Sequence, residues 1–159
     1  MRIDIDLARQ ELRLQDGRDH VQKIYSVSTS GKGGGEKNGS FCTPRGPHIV
    51  RAKIGAGQQI NTVFVRRRPT GELWSPELQA RYPGRDWILT RILWLSGCEP
   101  GFNRLGEVDT MRRYIYIHGS PETTEMGRPG SIGCIRMRNQ DIVELFDLAP
   151  PGTPVQIRG

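Results

Sequence analysis

No apolar run in the chain approaches the ~20 residues that a membrane-spanning helix needs, so no such helix is expected in it. No Cys-x-x-Cys pair occurs, and His20, His48 and His118 stand isolated, so metal-ligand spacing is absent and no metal site is expected. The stretch Ser30 to Gly39 is rich in glycine but lacks the GxxxxGK[ST] order of a phosphate loop; it reads as a mobile surface loop. Internal repeats and coiled-coil heptads are missing too, which leaves one domain over residues 1–159. The opening Met1-Arg2-Ile3-Asp4-Ile5-Asp6 carries acids where a secretory leader needs an apolar core. Read as complete, the sequence belongs in the cytoplasm; with a leader already removed, it belongs in the periplasm.

Against this background, 20 Gly and 11 Pro with 35% hydrophobic residues favour short strands and turns over a helical bundle. Ile3, Ile5 and Leu7 alternate with polar residues, as do Leu12 and Leu14, and Asp16-Gly17 signals a hairpin turn. Further strands are predicted over 21–28, 49–54, 62–67, 87–95, 114–118 and 153–157. Residues 69–86 carry Pro69, Gly71, Pro76, Pro83 and Gly84 and read as a long connecting lobe. Trp74, Tyr82, Trp87 and Trp94 lie in or near it, either as core or as the wall of a groove. One helix is expected, capped by Asn139, running through Ala149 and stopped by Pro150-Pro151-Gly152. The fold class is mainly β, with that single short helix near the C-terminus.

The formal charge of +6 and pI near 9.6 suit an anionic partner. Arg66-Arg67-Arg68 is the densest basic run, with Arg112-Arg113 elsewhere. The charges are scattered and not interleaved with aromatics, so no nucleic-acid partner is indicated and a solvated surface accounts for them. The cysteines are Cys42, Cys98 and Cys134, an odd number. Cys42 and Cys98 could pair in an oxidising compartment; without a leader two free thiols are expected.

The segment from Ile115 to Asn139, IYIHGSPETTEMGRPGSIGCIRMRN, concentrates the chemistry. His118 ends an alternating apolar run, and Cys134 follows in a Ser131-Ile132-Gly133-Cys134 turn. A thiol becomes a useful nucleophile when its pKa falls or a base takes its proton, and a histidine from a neighbouring strand is the usual partner. Glycine before the cysteine permits close backbone approach, and the Gly133 and Cys134 amides are candidate oxyanion donors. The helix to follow is expected to favour a thiolate through its dipole. The bland alternative makes Cys134 a buried small hydrophobe and His118 a strand end.

At His118-Gly119 and Ser131-x-Gly133-Cys134-Ile135-Arg136-Met137-x-Asn139, the chain resembles the catalytic domain of L,D-transpeptidases of the YkuD type. The likeness extends to the opening Ile3–Leu14 pattern with Gln10, to Tyr25–Ser30, to Thr43-Pro44-x-Gly46 and to Pro151–Val155. It implies a small, mostly antiparallel β sandwich or barrel. It implies a cofactor-free acyl transfer in which Cys134 attacks a peptidoglycan stem peptide and expels its terminal D-amino acid. Water, a D-amino acid or a diaminopimelate side-chain amine then resolves the thioester. By the same resemblance His118 is the base, the Gly119 carbonyl orients it and Ser131 shapes the turn. Arg136, and more weakly Arg128, would hold a substrate carboxylate; for Arg136 an ion pair fixing the turn is an equal alternative. Asn139 is a helix cap or a substrate contact. A monomer is expected, with muropeptides as partners.

Two departures from the family's pattern bear on activity. Ile132 stands where many members carry a second histidine, and no wall-binding module accompanies the domain. The competing readings are therefore an amide hydrolase or endopeptidase on the same scaffold, and a wall-peptide binding domain that has lost catalysis. Alkylation of Cys134 no faster than a model thiol would point to the last of these.

Overall fold

The alternation at the N-terminus does fold as a strand pair in a computed structural model, which describes residues 1–159. Strand β1 (Arg2–Asp6) and strand β2 (Glu11–Gln15) pair antiparallel with Ile3 opposite Leu14 and Ile5 opposite Leu12, and all four side chains are buried. In order follow β3 (Val21–Ser28), β4 (Gly46–Ile54), β5 (Thr62–Val65), β6 (Arg68–Leu73), helix α1 (Pro76–Arg81), β7 (Ile88–Gly97), β8 (Tyr116–Ser120), β9 (Ile135–Arg138), helix α2 (Asn139–Leu148) and β10 (Pro154–Arg158). The strands run side by side as β4-β10-β1-β2-β3-β9-β8-β7, and β7 pairs back onto β4, so this part of the sheet closes as a barrel without free edges. Most pairs are antiparallel; β1–β10 and β8–β9 are parallel. The mainly β class inferred from the alternation is the observed one.

The inward residues form one apolar cluster that includes Ile3, Leu12, Val27, Leu95, Ile117, Ile135 and Met137. Helix α2 lays Ile142, Leu145 and Phe146 against it, as the helical spacing of those residues dictates.

Several local expectations change. The lobe at 69–86 is structured: β5 and β6 form a hairpin attached to β7 through Val63–Leu89, and α1 follows. Pro76 occupies the first turn of α1, where a missing N–H costs nothing, and the Ser75 hydroxyl accepts from the Leu78 amide at 3.1 Å. Trp74 and Trp87 are buried with Val63 and Leu89 beneath this lobe, so those two indoles are core.

The glycine-rich segment is tied down rather than free. Its Gly31 amide donates to the Ser131 carbonyl, Gly35 to Thr43 and Asn38 to Glu107. Gly34 and Gly35 serve close approach: a Cβ on Gly35 would come within 2.9 Å of the Cys42 Cβ.

Asn139 does not cap α2 with its side chain. Strand β9 runs directly into the helix, Arg138 occupies the capping position without a side-chain bond, and Asn139 is the first helical residue. Since β9 separates Cys134 from α2, the helix terminus lies ~16 Å further along the extended chain, too far for its dipole to act on the thiol.

Candidate active site

Parallel pairing of β8 with β9 assembles the site. The register sets Ile117 beside Ile135 and His118 beside Arg136. With side chains alternating along each strand, Ile115, Ile117, Ile135 and Met137 enter the barrel core, and Tyr116, His118, Cys134 and Arg136 share the opposite face. Residues sixteen apart in sequence therefore meet because two parallel strands present the same face.

His118 is fully buried. Its Nδ1 lies 2.6 Å from the Gly119 carbonyl oxygen, and a carbonyl only accepts, so the proton sits on Nδ1 and Nε2 carries a bare lone pair. Nε2 has no hydrogen-bond partner, alone among buried side-chain nitrogens and oxygens. Burial pushes the imidazole below its usual pKa range; Asp86 opposes this and Arg136 adds to it.

Gly119 is sterically required. A Cβ there would lie 2.4 Å from Asn139 Oδ1 and 2.6 Å from the Leu89 carbonyl. Asn139 is held in place by the Thr90 hydroxyl, which donates to Oδ1 at 2.7 Å, and by its own Nδ2, which donates to Asn61 Oδ1 at 2.8 Å. Thr90 adopts a φ of 75°, unusual for a β-branched residue, at the register shift in β7 between Leu89 and Ile92. Asn139 is thus a brace behind the histidine, neither a cap nor a side chain lining the cleft.

Cys134 is half-buried at one wall of a cleft of about 490 Å³. Its Sγ accepts the Tyr116 amide at 3.3 Å and donates to the Tyr114 carbonyl at 3.4 Å. Tyr114 holds a φ of 56°, which aims that carbonyl at the thiol. Burial pushes the thiol up to about 12, against the opposing pull of the Tyr116 amide and of Arg136 and Arg113; Asp86 raises it further. The lowered thiol expected from the turn and the helix is not found. Desolvation outweighs every nearby positive group.

The turn itself is locked by Ser131, whose hydroxyl donates to the Cys134 carbonyl at 2.6 Å and accepts the Gly133 amide at 3.2 Å. The Gly133 amide is thereby occupied, so of the two expected oxyanion donors only the Cys134 amide lacks a protein acceptor. Buried Thr43 secures the turn from behind by donating to the Gly133 carbonyl at 2.9 Å. Ile132 is exposed and lines the cleft.

Arg136 is engaged: it donates to Asp86 at 2.9 Å and to the Gly130 carbonyl at 3.1 Å, bracing the turn against the lobe. Arg128 lies outside the cleft in an exposed pair with Glu125. The cations that do line the cleft are Arg66, Arg67 and Arg113, assigned to a solvated surface by sequence; Asp86 lines it as well. Alternation along 114–118 was a signal that could have put Tyr116 on the histidine's face. No pattern indicated that a hairpin would swing Arg66 and Arg67 over it. Cys42 and Cys98 are free thiols, and no three His, Cys, Asp or Glu side chains gather as a metal site.

Comparison with known proteins bears on the family and the fold. A family model described as the L,D-transpeptidase catalytic domain, YkuD, matches residues 1–157. YbiS of Escherichia coli (strain K12), named as a probable L,D-transpeptidase, is 32% identical over 123 residues, covering 71% of this chain and 39% of its own length. YkuD of Bacillus subtilis (strain 168), whose name carries the same enzyme class, is 41% identical over 94 residues, 59% of this chain and 47% of its own. The chain thus spans less than half the length of these relatives. The crystal structure of the L,D-transpeptidase from Xylanimonas cellulosilytica superposes with a TM-score of 0.55 at 20% identity, covering 98% of this chain and 59% of that one, a likeness of fold. The chain belongs to the L,D-transpeptidase catalytic-domain family.

Proposed function

We propose that this domain catalyses L,D-transpeptidation on peptidoglycan tetrapeptide stems through a thioacyl-enzyme at Cys134. The observation that carries the reading is the buried, unpartnered Nε2 of His118, fixed in its basic tautomer by the Gly119 carbonyl on the face it shares with Cys134. A buried polar atom without a partner costs stability, and a catalytic role is one reason for a fold to keep one.

The neutral thiol turns from the Tyr114 carbonyl toward Nε2. Sγ then attacks the scissile carbonyl carbon while Nε2 takes the proton. The Cys134 amide receives the developing oxyanion, and the Tyr116 amide holds the sulfur. Collapse expels the terminal D-amino acid, whose amine takes the proton back from His118. An acceptor amine attacks the thioester, gives a proton to His118 and frees the thiol; water in its place gives hydrolysis. Asp86 supports the transient imidazolium electrostatically.

The test is incubation with a defined tetrapeptide stem, with and without a D-amino acid, read by intact-protein and product mass. A mass gain of the acyl group on wild type and its absence in Cys134→Ala is the expected result. Absence of acylation in wild type refutes the assignment and leaves peptide binding without catalysis.

A further inference from the structure

The turn joining β5 to β6 is two residues long, and both Arg66 and Arg67 take positive φ, 50° and 65°. Such hairpin turns favour Asn-Gly, because side chains crowd the left-handed region. Two arginines here are a poor choice for the turn itself, so tertiary contacts hold it. Arg67 supplies them: its guanidinium lies 4.8 Å from the ring centres of both Trp94 and Tyr114 and donates to the Tyr116 hydroxyl at 3.1 Å. The same Tyr116 donates its amide to the Cys134 sulfur. No carboxylate pairs with Arg66, Arg67 or Arg113, and the one acid lining the cleft, Asp86, is already paired with Arg136. The cleft whose wall carries Cys134 therefore presents a stacked, incompletely bonded guanidinium, with uncompensated positive charge around it.

We propose that Arg67 is a specificity-determining residue that reads the free C-terminal carboxylate of the leaving D-residue. This rests on the reading of Cys134 as nucleophile toward stem peptides. A leaving residue's carboxyl carbon lies within ~4 Å of the scissile carbonyl carbon, one residue further on, so a cation lining the same cleft as the thiol can meet it. The planar fork suits a carboxylate, and stacking fixes its plane before the ligand arrives. Donors whose leaving residue is blocked as an amide or carries further residues lose this contact. The cleft then selects chain ends, which sets it against endopeptidase action within a crosslink.

The test separates recognition from chemistry. Dissociation constants for a D-alanine-terminated tetrapeptide and its C-terminal carboxamide are measured calorimetrically on the Cys134→Ala protein, with and without Arg67→Ala. Acylation rates of both peptides are measured on the intact-thiol forms. A charge-assisted contact predicts ~10–150-fold tighter binding of the acid than of the amide, abolished by Arg67→Ala and only partly restored by Arg67→Lys. A second variant, Arg66→Asn with Arg67→Gly, gives the turn its preferred residues. It should fold at least as stably and still lose the discrimination, which excludes misfolding as the cause. Equal binding of acid and amide to wild type, or equal loss for both in Arg67→Ala, overturns the proposal and leaves Arg67 a brace for Tyr116. Acid-selective binding without any acylation upholds the carboxylate site while refuting the transpeptidase reading.

Discussion

Alkylation of Cys134 across pH tests whether the resting protein holds a thiol or a thiolate. Burial raises the Cys134 pKa to about 12, and no hydrogen bond joins Sγ to His118. At pH 8 such a thiol is ionised to about one part in 10⁴, whereas an ordinary thiol near 8.5 is ionised to about a quarter. The deficit is ~2,000-fold. Nucleophilicity grows with basicity at a Brønsted slope of ~0.4–0.5, which returns ~25–55-fold across that gap. The net expectation is iodoacetamide modification ~40–100-fold slower than a model thiol at pH 8. The rate should climb about tenfold per pH unit through pH 10 without levelling. A protein with Cys42→Ala and Cys98→Ala isolates the signal, followed by mass. A plateau below pH 8, or a rate above the model thiol, would mean a preformed thiolate–imidazolium pair and would refute the proton-transfer sequence above. Slow alkylation thus ceases to mark a binding domain. Under the proposed mechanism it is what a nucleophile activated only when donor and base act together would show.

Replacing His118 by Ala should lower acylation by ~10²–10⁴-fold with the fold retained, checked by circular dichroism beside single-turnover mass kinetics. Since the imidazole is held below its usual range, the acid limb of kcat/KM should fall below pH 6.5; a midpoint at or above 6.5 would contradict the burial argument. Gly119→Ala should be destabilised and nearly inactive, because the added methyl meets Asn139 Oδ1 and the Leu89 carbonyl; wild-type melting temperature and turnover would overturn that. Buried His48, bonded to Gly46 and Thr110, has its pKa lowered from 6.5 to about 4 by desolvation. The unfolded chain binds this proton first as pH falls, so stability present above pH 6.5 is lost progressively down to about pH 4, by about 3 kcal/mol. His118 acts in the same direction, so the measurement is the difference in urea midpoints between wild type and His48→Gln across that window; parallel curves would refute it.

What the sequence determined by itself was periodic or local. Alternation at Ile3, Ile5, Leu12 and Leu14 specified strands because each apolar side chain needs the same face of the sheet. Helical spacing at Ile142, Leu145 and Phe146 specified α2 for the analogous reason. Glycine at 119 and 133 beside a histidine and a cysteine marked the chemistry, since a Cβ at 119 would clash and the φ of 135° at 133 favours glycine. What required tertiary structure was electrostatic or long-range. The thiol's pKa depends on how deeply the cleft buries it, a sum over atoms of segments spread from Asn38 to Cys134 that no local motif encodes. Arg136 found Asp86 fifty residues away, and Arg67 found Tyr116 across a hairpin whose turn residues give no local sign of one. Asn139 looked like a cap because helix starts favour its type, yet Thr90 and Asn61 drew the side chain inward. A chain reveals which face a residue must take; which partner waits on that face is decided when distant strands close the barrel.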